Sequence, residues 1–239
     1  MLFRSWDVSP PRALPWTQQQ KNVFGRLRQY SPYIFVEPEA KIVYVWLPIN
    51  EARVSTIVEA FDIDAGTVAF TFMEDTRKVN SLAFCANGKL AVTGAKDGSV
   101  LFWDLSKTEA KQAAGGVWTL FDKIGVADLA ITPDGTTLVA TSDTGEIKVA
   151  KIAGRQVAKS YKGHDGRILS CLISPDGKRF VTMGADNVVK LWDLDGNEIR
   201  RWNMGKHHES FVVSLAFTPD GRQIVTANAN TTLYVLDLP

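Results

Sequence analysis

A short turn recurs along this sequence at nearly constant spacing, and it limits the folds that the chain can adopt. Its four copies are Ala86-Asn87-Gly88, Pro133-Asp134-Gly135, Pro175-Asp176-Gly177 and Pro219-Asp220-Gly221. The central residues of successive copies are 47, 42 and 44 positions apart. Glycine can adopt positive φ and proline presets φ near about −65°, so each copy favours a tight turn. The chain is therefore expected to repeat one small unit.

The unit around the third copy predicts strands. Three short apolar runs, residues 168–173, 179–183 and 188–194, are separated by turn residues, and residues 198–202 can follow as a fourth strand. Runs this short, rich in Val, Ile and Leu and bounded by Pro, Asp and Gly, are typical of antiparallel strands joined by tight turns. Each unit is therefore interpreted as a four-stranded meander.

The end of the third run also recurs in step with the turn. The four copies are Phe102-Trp103-Asp104-Leu105, Val149-Ala150-Lys151-Ile152, Leu191-Trp192-Asp193-Leu194 and Val235-Leu236-Asp237-Leu238. A period of about 40–45 residues with Gly-His and Trp-Asp marks is the signature of a propeller blade. Here the chain resembles the WD-repeat family, clearly over residues 78–238 and weakly over the first third. The resemblance implies an all-β fold, a β-propeller of four-stranded antiparallel blades.

The repeats predict one domain, residues 1–239, with about five full blades and a partial N-terminal one. Residues 1–21 are interpreted as the partial blade, with a third strand at 2–8, and 22–66 as a divergent blade with its first strand at 24–30. Residues 67–239 are interpreted as regular repeats, with one outer strand expected at 118–121. Family propellers mostly have seven blades, which would need about 290 residues. We therefore expect an incomplete propeller, such as a fragment of a longer gene product. Residues 12–17 could close the ring, although their proline weakens them as a strand.

Composition argues against several classes of partner and location. The formal net charge is +1, so no strong field favours nucleic acid or an acidic membrane surface. No apolar run approaches the about 20 residues of a membrane helix, and the first residues lack a signal-peptide pattern. Cys85 and Cys171 lie in first strands of different repeats and are expected to be buried free thiols. We expect a cytoplasmic protein.

One set of polar residues could suggest catalysis. His164, Thr182 and Asp186 supply an imidazole, a hydroxyl and a carboxylate, the groups of a nucleophilic triad. The resemblance implies another role, because His164, Thr182, Asp186 and Trp192 match the family's hydrogen-bond network position by position. Such a network gives each buried polar group a partner. We therefore expect a structural role and no catalytic residues.

Metal and cofactor sites are not expected. His207 and His208 adjoin Glu209, but neighbouring residues on a strand point to opposite faces, and no further His or Cys keeps ligand spacing. The sequence contains no phosphate-binding glycine loop and no zinc pattern. Asp134, Asp176 and Asp220 are explained by turn chemistry without calcium.

The leading hypothesis for function is a non-catalytic scaffold that presents loops of one propeller face to a protein partner. The candidate contacts flank first strands or the turns between second and third strands: Lys78, Lys96, Arg167, Asn187, Phe211 and Asn230. The alternative is a quinone-dependent dehydrogenase-like or lactonase-like propeller enzyme, whose repeat endings are weakly similar to Phe61-Asp62-Ile63-Asp64-Ala65-Gly66. An enzyme would need ionisable groups that converge on the central channel.

Overall fold

The computed structural model describes residues 79–85, 89–105, 116–205 and 212–239 with their side chains. Five further strands, β1 to β4 and β8 below, are described by their backbone alone. Apart from one 3-10 turn at Ala153–Arg155, all regular structure in these residues is β. The predicted all-β fold of four-stranded antiparallel sheets is confirmed, and each sheet is called a blade from here on.

Blade 1 contains β1 (Tyr33–Glu37), β2 (Ile42–Pro48), β3 (Thr56–Asp62) and β4 (Thr67–Asp75), paired in that order. The strand that precedes β2 and pairs with it is thus Tyr33–Glu37 and not the predicted residues 24–30, which lie outside the described part of the chain. The run Tyr-Ile-Phe-Val between Pro32 and Pro38 is rich in aromatic and β-branched residues, which favour strands. The predicted segments at residues 2–8 and 12–17 also lie outside the described residues.

Blade 2 contains β5 (Val79–Phe84), β6 (Leu90–Ala95) and β7 (Ser99–Asp104). Its outer position is divided between β8 (Lys111–Gln112) and β9 (Trp118–Thr119), which both pair with β7. The sequence predicted one outer strand at residues 118–121. The strand stops at Thr119 because the amides of Leu120 and Phe121 both donate to the Gly98 carbonyl, each at 3.0 Å, and the two side chains are buried.

The remaining strands make three blades in sequence order. Blade 3 contains β10 (Val126–Ile131), β11 (Thr137–Ser142), β12 (Glu146–Lys151) and β13 (Gln156–Lys162). Blade 4 contains β14 (Ile168–Ile173), β15 (Arg179–Gly184), β16 (Val188–Asp193) and β17 (Glu198–Asn203), and blade 5 contains β18 (Val212–Phe217), β19 (Gln223–Asn228) and β20 (Leu233–Asp237). Among the described strands, none pairs blade 5 with blade 1.

Three of the recurring turns have the same hydrogen bonds. Asp134, Asp176 and Asp220 each accept from the hydroxyl two residues before, at 2.5, 2.5 and 2.6 Å, and from the amide two residues after, at 3.0 Å. These bonds, the hydroxyl first, lower the pKa of each carboxyl from its ordinary 3.8. The following glycines have φ of 72°, 68° and 66°. The repeated Asp-Gly pair therefore caps each hairpin, as turn chemistry predicted.

The hydrophobic core lies between neighbouring blades. Val181, Met183, Val189 and Leu191 of blade 4 belong to one buried cluster with residues of blade 5 that include Leu215. Equivalent clusters join blades 2 and 3 and blades 3 and 4. Burial of this kind contributes about 25 cal/mol per Å² of apolar surface, so blades 2 to 5 are stabilised largely by their contacts with one another.

Both cysteines are free and buried. Cys85 directly follows β5 of blade 2 and Cys171 lies in β14 of blade 4, so they belong to different blades. Burial raises the pKa of the Cys171 thiol, and the nearby Asp128 carboxylate raises it further. Both effects favour the neutral thiol of Cys171 over the thiolate.

Candidate functional site

The residues proposed for the blade network come together in blade 4. Nδ1 of His164 lies 3.0 Å from both carboxylate oxygens of Asp186, and its Nε2 lies 2.7 Å from Oγ1 of Thr182. The indole Nε1 of Trp192 donates to the same hydroxyl at 2.8 Å. β15 and β16 bring Thr182 and Trp192 to adjacent strands, while the loop before β14 supplies His164. The four side chains thus form one continuous chain of hydrogen bonds.

One protonation pattern satisfies all four contacts. A neutral imidazole carrying its proton on Nδ1 donates to Asp186 and accepts from the Thr182 hydroxyl, which in turn accepts from the indole. Burial lowers the pKa of His164 below its ordinary 6.5, against the opposing effect of Asp186. Gly184 is required here, because a Cβ at that position would overlap the Asp186 carboxylate and the imidazole.

The other blades retain only parts of this network. In blade 2 the indole of Trp103 donates to Thr93 at 3.1 Å. In blade 3, strand register places Ala140 and Ala150 where blade 4 has Thr182 and Trp192. Blade 5 has Leu236 in place of the tryptophan. Only blade 4, among the blades described with side chains, combines the imidazole, hydroxyl, carboxylate and indole.

The predicted partner contacts fall into three groups. Lys96 and Asn230 are exposed, and Arg167 is half-exposed, with its Nε 3.0 Å from Oδ1 of Asp143 in the β11–β12 turn. Asn187 is buried, and its side-chain amide donates to the Gly205 carbonyl at 2.8 Å, so it supports its own turn and is not part of an exposed surface. Lys78 and Phe211 lie outside the described residues, as do His207, His208 and Glu209.

A cavity of about 730 Å³ lies where the first strands of blades 2 to 5 converge. Each of these strands contains one β-bulge at the same place, and the extra residues are Asn80, Ala127, Leu169 and Val213. All four line the cavity. Leu169 is 45% exposed and Val213 58% exposed, although both are aliphatic. A bulge re-aims side chains, so the bulges create this lining.

The residue after each bulge is polar and also lines the cavity: Ser81, Asp128, Ser170 and Ser214. Oδ2 of Asp128 accepts from the amide of Cys171 in blade 4 at 2.7 Å, and Oδ1 accepts from its neighbour Leu129 at 2.9 Å. Burial raises the pKa of Asp128 from 3.8 to about 6, and the two amides and Arg167 partly offset that effect. The carboxylate thus bridges two blades at the cavity wall.

Sequence reasoning missed Asp128 as a site residue. It stands where three other repeats have serine, in the aligned segments Asn80-Ser81-Leu82, Ala127-Asp128-Leu129, Leu169-Ser170-Cys171 and Val213-Ser214-Leu215. A carboxylate on an otherwise apolar first strand was the available signal. Its position at the cavity follows from the bulges, which the sequence pattern does not reveal.

Two further properties concern metals and membranes. Within the described ranges no three His, Cys, Asp or Glu side chains lie together in a way that could hold a metal ion. No helix among the same residues is long and apolar enough to cross a membrane.

Comparison with known proteins places the repeats in a family. The family described as "WD domain, G-beta repeat" matches residues 66–104, 155–193 and 199–237. Each match begins in the outer region of one blade and ends with the third strand of the next, so the sequence repeat is offset from the sheet by one strand. The repeat that ends at Ile152 is not among the matches, in line with its loss of the Trp-Asp pair.

Individual relatives support the same assignment. "Target of rapamycin complex subunit LST8-1" from Arabidopsis thaliana is 28% identical over 60% of this chain and 62% of its own length. "Non-functional target of rapamycin complex subunit LST8-2" from the same plant is 28% identical over 54% of this chain and 56% of its own length. "WD repeat-containing protein 1-B" from Xenopus laevis is 34% identical over 48% of this chain and 18% of its own length. The chain thus spans somewhat more than half the length of the two plant relatives.

Proposed function

Because this chain is a WD-repeat protein, we propose that it is a non-catalytic scaffold that binds a protein partner at the loop face around the cavity. The observation that carries this proposal is the lining formed by the bulges of four first strands. Leu169 and Val213 present exposed aliphatic surface there, beside the half-exposed cation Arg167. An apolar patch with a polar border is typical of a protein-binding surface.

The named relatives support a role in protein assemblies. By name, two of them are subunits of a protein complex. Propellers host many functions, so the fold alone does not select this one. For this chain the complex, its members and the residues they contact are part of the proposal.

The geometry of blade 4 favours the structural interpretation of His164, Thr182 and Asp186 over a nucleophilic triad. Both His164 and Thr182 are buried, and the hydroxyl already contacts the imidazole and the indole. Asp186 also accepts from the amides of Asp165 and Val188, each at 3.1 Å. A nucleophile needs room for a substrate beside its oxygen, and this hydroxyl is enclosed by its own partners.

A loop-face variant tests the scaffold proposal. Arg167→Glu combined with Lys96→Glu reverses the charge of two exposed loop residues, of which Arg167 lines the cavity, whereas Lys159→Glu reverses one charge on the exposed outer strand β13. Proteins cross-linked to the wild-type chain in cells would be compared with those of both variants by quantitative mass spectrometry. We expect the loop-face variant to lose specific partners that the outer-strand variant keeps. Equal recovery by both variants would contradict the proposed surface.

The enzyme alternative has its own test. Reduction of a quinone dye and hydrolysis of a lactone would be measured with the purified chain, using Asp128→Asn as the matched variant because Asp128 is the titratable carboxylate at the cavity. We expect rates equal to the buffer blank. Turnover that Asp128→Asn abolished would support the enzyme. A cytoplasmic location and the exclusion of nucleic acid and membrane partners stay predictions from the sequence.

A further inference from the structure

The two charged residues that line the cavity differ in whether a group of opposite charge is bound to them. Asp128 and Arg167 are the charged residues in its described lining. Arg167 is paired with Asp143 at 3.0 Å. The hydrogen bonds to Asp128 come from two backbone amides, which carry no net charge. Within the described lining, the opposing charge for the Asp128 carboxylate is therefore Arg167, which is already paired with Asp143.

Burial of such a carboxylate is costly, and its titration reflects that cost. The pKa of Asp128 is raised to about 6 chiefly because the ionised form loses water. At neutral pH the group is still mainly ionised. A cation that entered the cavity would supply a charge-assisted partner, whose hydrogen bonds are stronger than those between neutral groups.

The rest of the lining fits a cation that carries an aliphatic stem. Leu169 and Val213 expose apolar surface into the cavity, where methylene groups could be covered. The hydroxyl of Ser81 is buried in the same lining and has no hydrogen-bond partner among the described residues. It can accept from an ammonium or a guanidinium, because a hydroxyl oxygen has two lone pairs. The volume of about 730 Å³ admits a side chain with its flanking backbone.

We propose that this cavity binds a lysine or arginine side chain of the protein partner, with its charged end at Asp128 and its methylene stem along Leu169 and Val213. The inference rests on the proposed scaffold function and names the chemistry of the partner. Lysine and arginine combine an apolar stem with a charged end, which is the pattern of this lining. Ser81, Ser170 and Ser214 would supply neutral acceptors around the charge.

The test uses the full chain and short peptides as probes. Binding of the capped tripeptides Ala-Arg-Ala, Ala-Lys-Ala and Ala-citrulline-Ala would be followed by NMR at the Asp128 side-chain carboxyl. Citrulline has nearly the shape of arginine but no charge. We expect at least one basic peptide to bind and to lower the pKa of Asp128, and citrulline to bind roughly tenfold or more weakly. Binding of the basic peptide should weaken as the pH falls through about 6.

Two matched variants complete the test. Asp128→Asn keeps an acceptor oxygen but removes the charge, and Asp134→Asn removes a charge from an exposed turn. We expect the first to abolish the preference for a basic peptide and the second to leave it unchanged. If Asp128→Asn fails to fold, the pH profile and the carboxyl titration of the wild-type chain decide the question.

Several results would show that the cavity does not bind a basic side chain of a partner. Equal binding of all three peptides, no binding of any, or an unchanged Asp128 titration would overturn the proposal and leave Asp128 as a structural bridge between blades. Binding of free putrescine in preference to the peptides would also overturn it, because the site would then take a free amine. Either failure is separable from failure of the scaffold function, since cross-linked partners would still distinguish Arg167→Glu/Lys96→Glu from Lys159→Glu.

Discussion

The indole of Trp192 donates a hydrogen bond of 2.8 Å to the hydroxyl of Thr182, which also lies 2.7 Å from Nε2 of His164. This contact joins the third strand of blade 4 to the second strand and to the loop before the first. It therefore fixes three segments of one blade through a single buried oxygen. The consequences for stability can be measured residue by residue.

Trp192→Phe should destabilise the protein while leaving the fold intact. The substitution keeps an aromatic ring beside Phe180 but removes the N–H, so the Thr182 hydroxyl loses a donor. We expect the free energy of unfolding to fall by about 1–3 kcal/mol, measured by urea denaturation. Trp202→Phe, at a partly buried position of the mostly exposed outer strand β17, is the control and should cost less. Equal losses in the two variants would mean that the hydrogen bond adds little.

The network should weaken on acidification. Burial lowers the pKa of His164 below 6.5, so the unfolded chain binds the proton at a higher pH than the folded chain does. The contribution of neutral His164 to stability is fully present above about pH 6.5 and is lost as the pH falls below that value. The stability advantage of wild type over His164→Gln should shrink between about pH 7 and pH 5. An advantage that stayed constant would show that the imidazole is not held neutral.

Asp128 should make the free energy of unfolding depend on pH with the opposite sign. Its pKa is about 6 in the folded chain against 3.8 ordinarily, so the folded chain retains the proton to higher pH. The stability linked to that proton is present below about pH 3.8 and is lost as the pH rises through about 6. The shift corresponds to about 3 kcal/mol at about 1.36 kcal/mol per unit. Relative to Asp128→Asn, wild type should lose stability between about pH 4 and pH 7, measured by chemical denaturation.

Truncation of a side chain should cost more at the interface between blades 4 and 5 than on the exposed strand β20. Leu191 of blade 4 is fully buried against blade 5, whereas Leu233 of β20 is 67% exposed and its neighbour Val235 is 56% exposed. Leu191→Ala should cost about 2–5 kcal/mol because it opens a cavity. Leu233→Ala should cost less than about 1 kcal/mol. A large cost at Leu233 would show that another surface covers this strand in solution.

Tyr161→Phe should be neutral or slightly stabilising. The phenolic oxygen is buried and has no hydrogen-bond partner among the described residues, while the ring packs 5.3 Å from that of Trp192. Phenylalanine keeps the ring and removes an oxygen whose burial is uncompensated. We expect the melting temperature to stay equal or rise in differential scanning calorimetry. A clear fall in the melting temperature would mean that the hydroxyl has a stabilising partner in solution.

Much of the fold could be predicted because its information is local. The Pro-Asp-Gly turns at Asp134, Asp176 and Asp220 fix hairpins through bonds within a few residues, and the strands between them follow. The outer strand of blade 2 could not be placed in the same way. Its position depends on Leu120 and Phe121, which leave the strand to fill a space between blades.

The sequence by itself determined the repeated four-stranded unit, the residues of the blade 4 network and the free state of both cysteines. Each of these depends on residue type and on contacts that the repeat period brings into register. The cavity and its Asp128 were decided by the tertiary structure, because the amide that Asp128 accepts from belongs to Cys171, 43 residues away in the next blade. Asn187 was likewise decided there: its turn position suggested exposure, but packing against Gly205 buries it. Desolvation and contacts between blades depend on the arrangement of sheets, which no local pattern encodes.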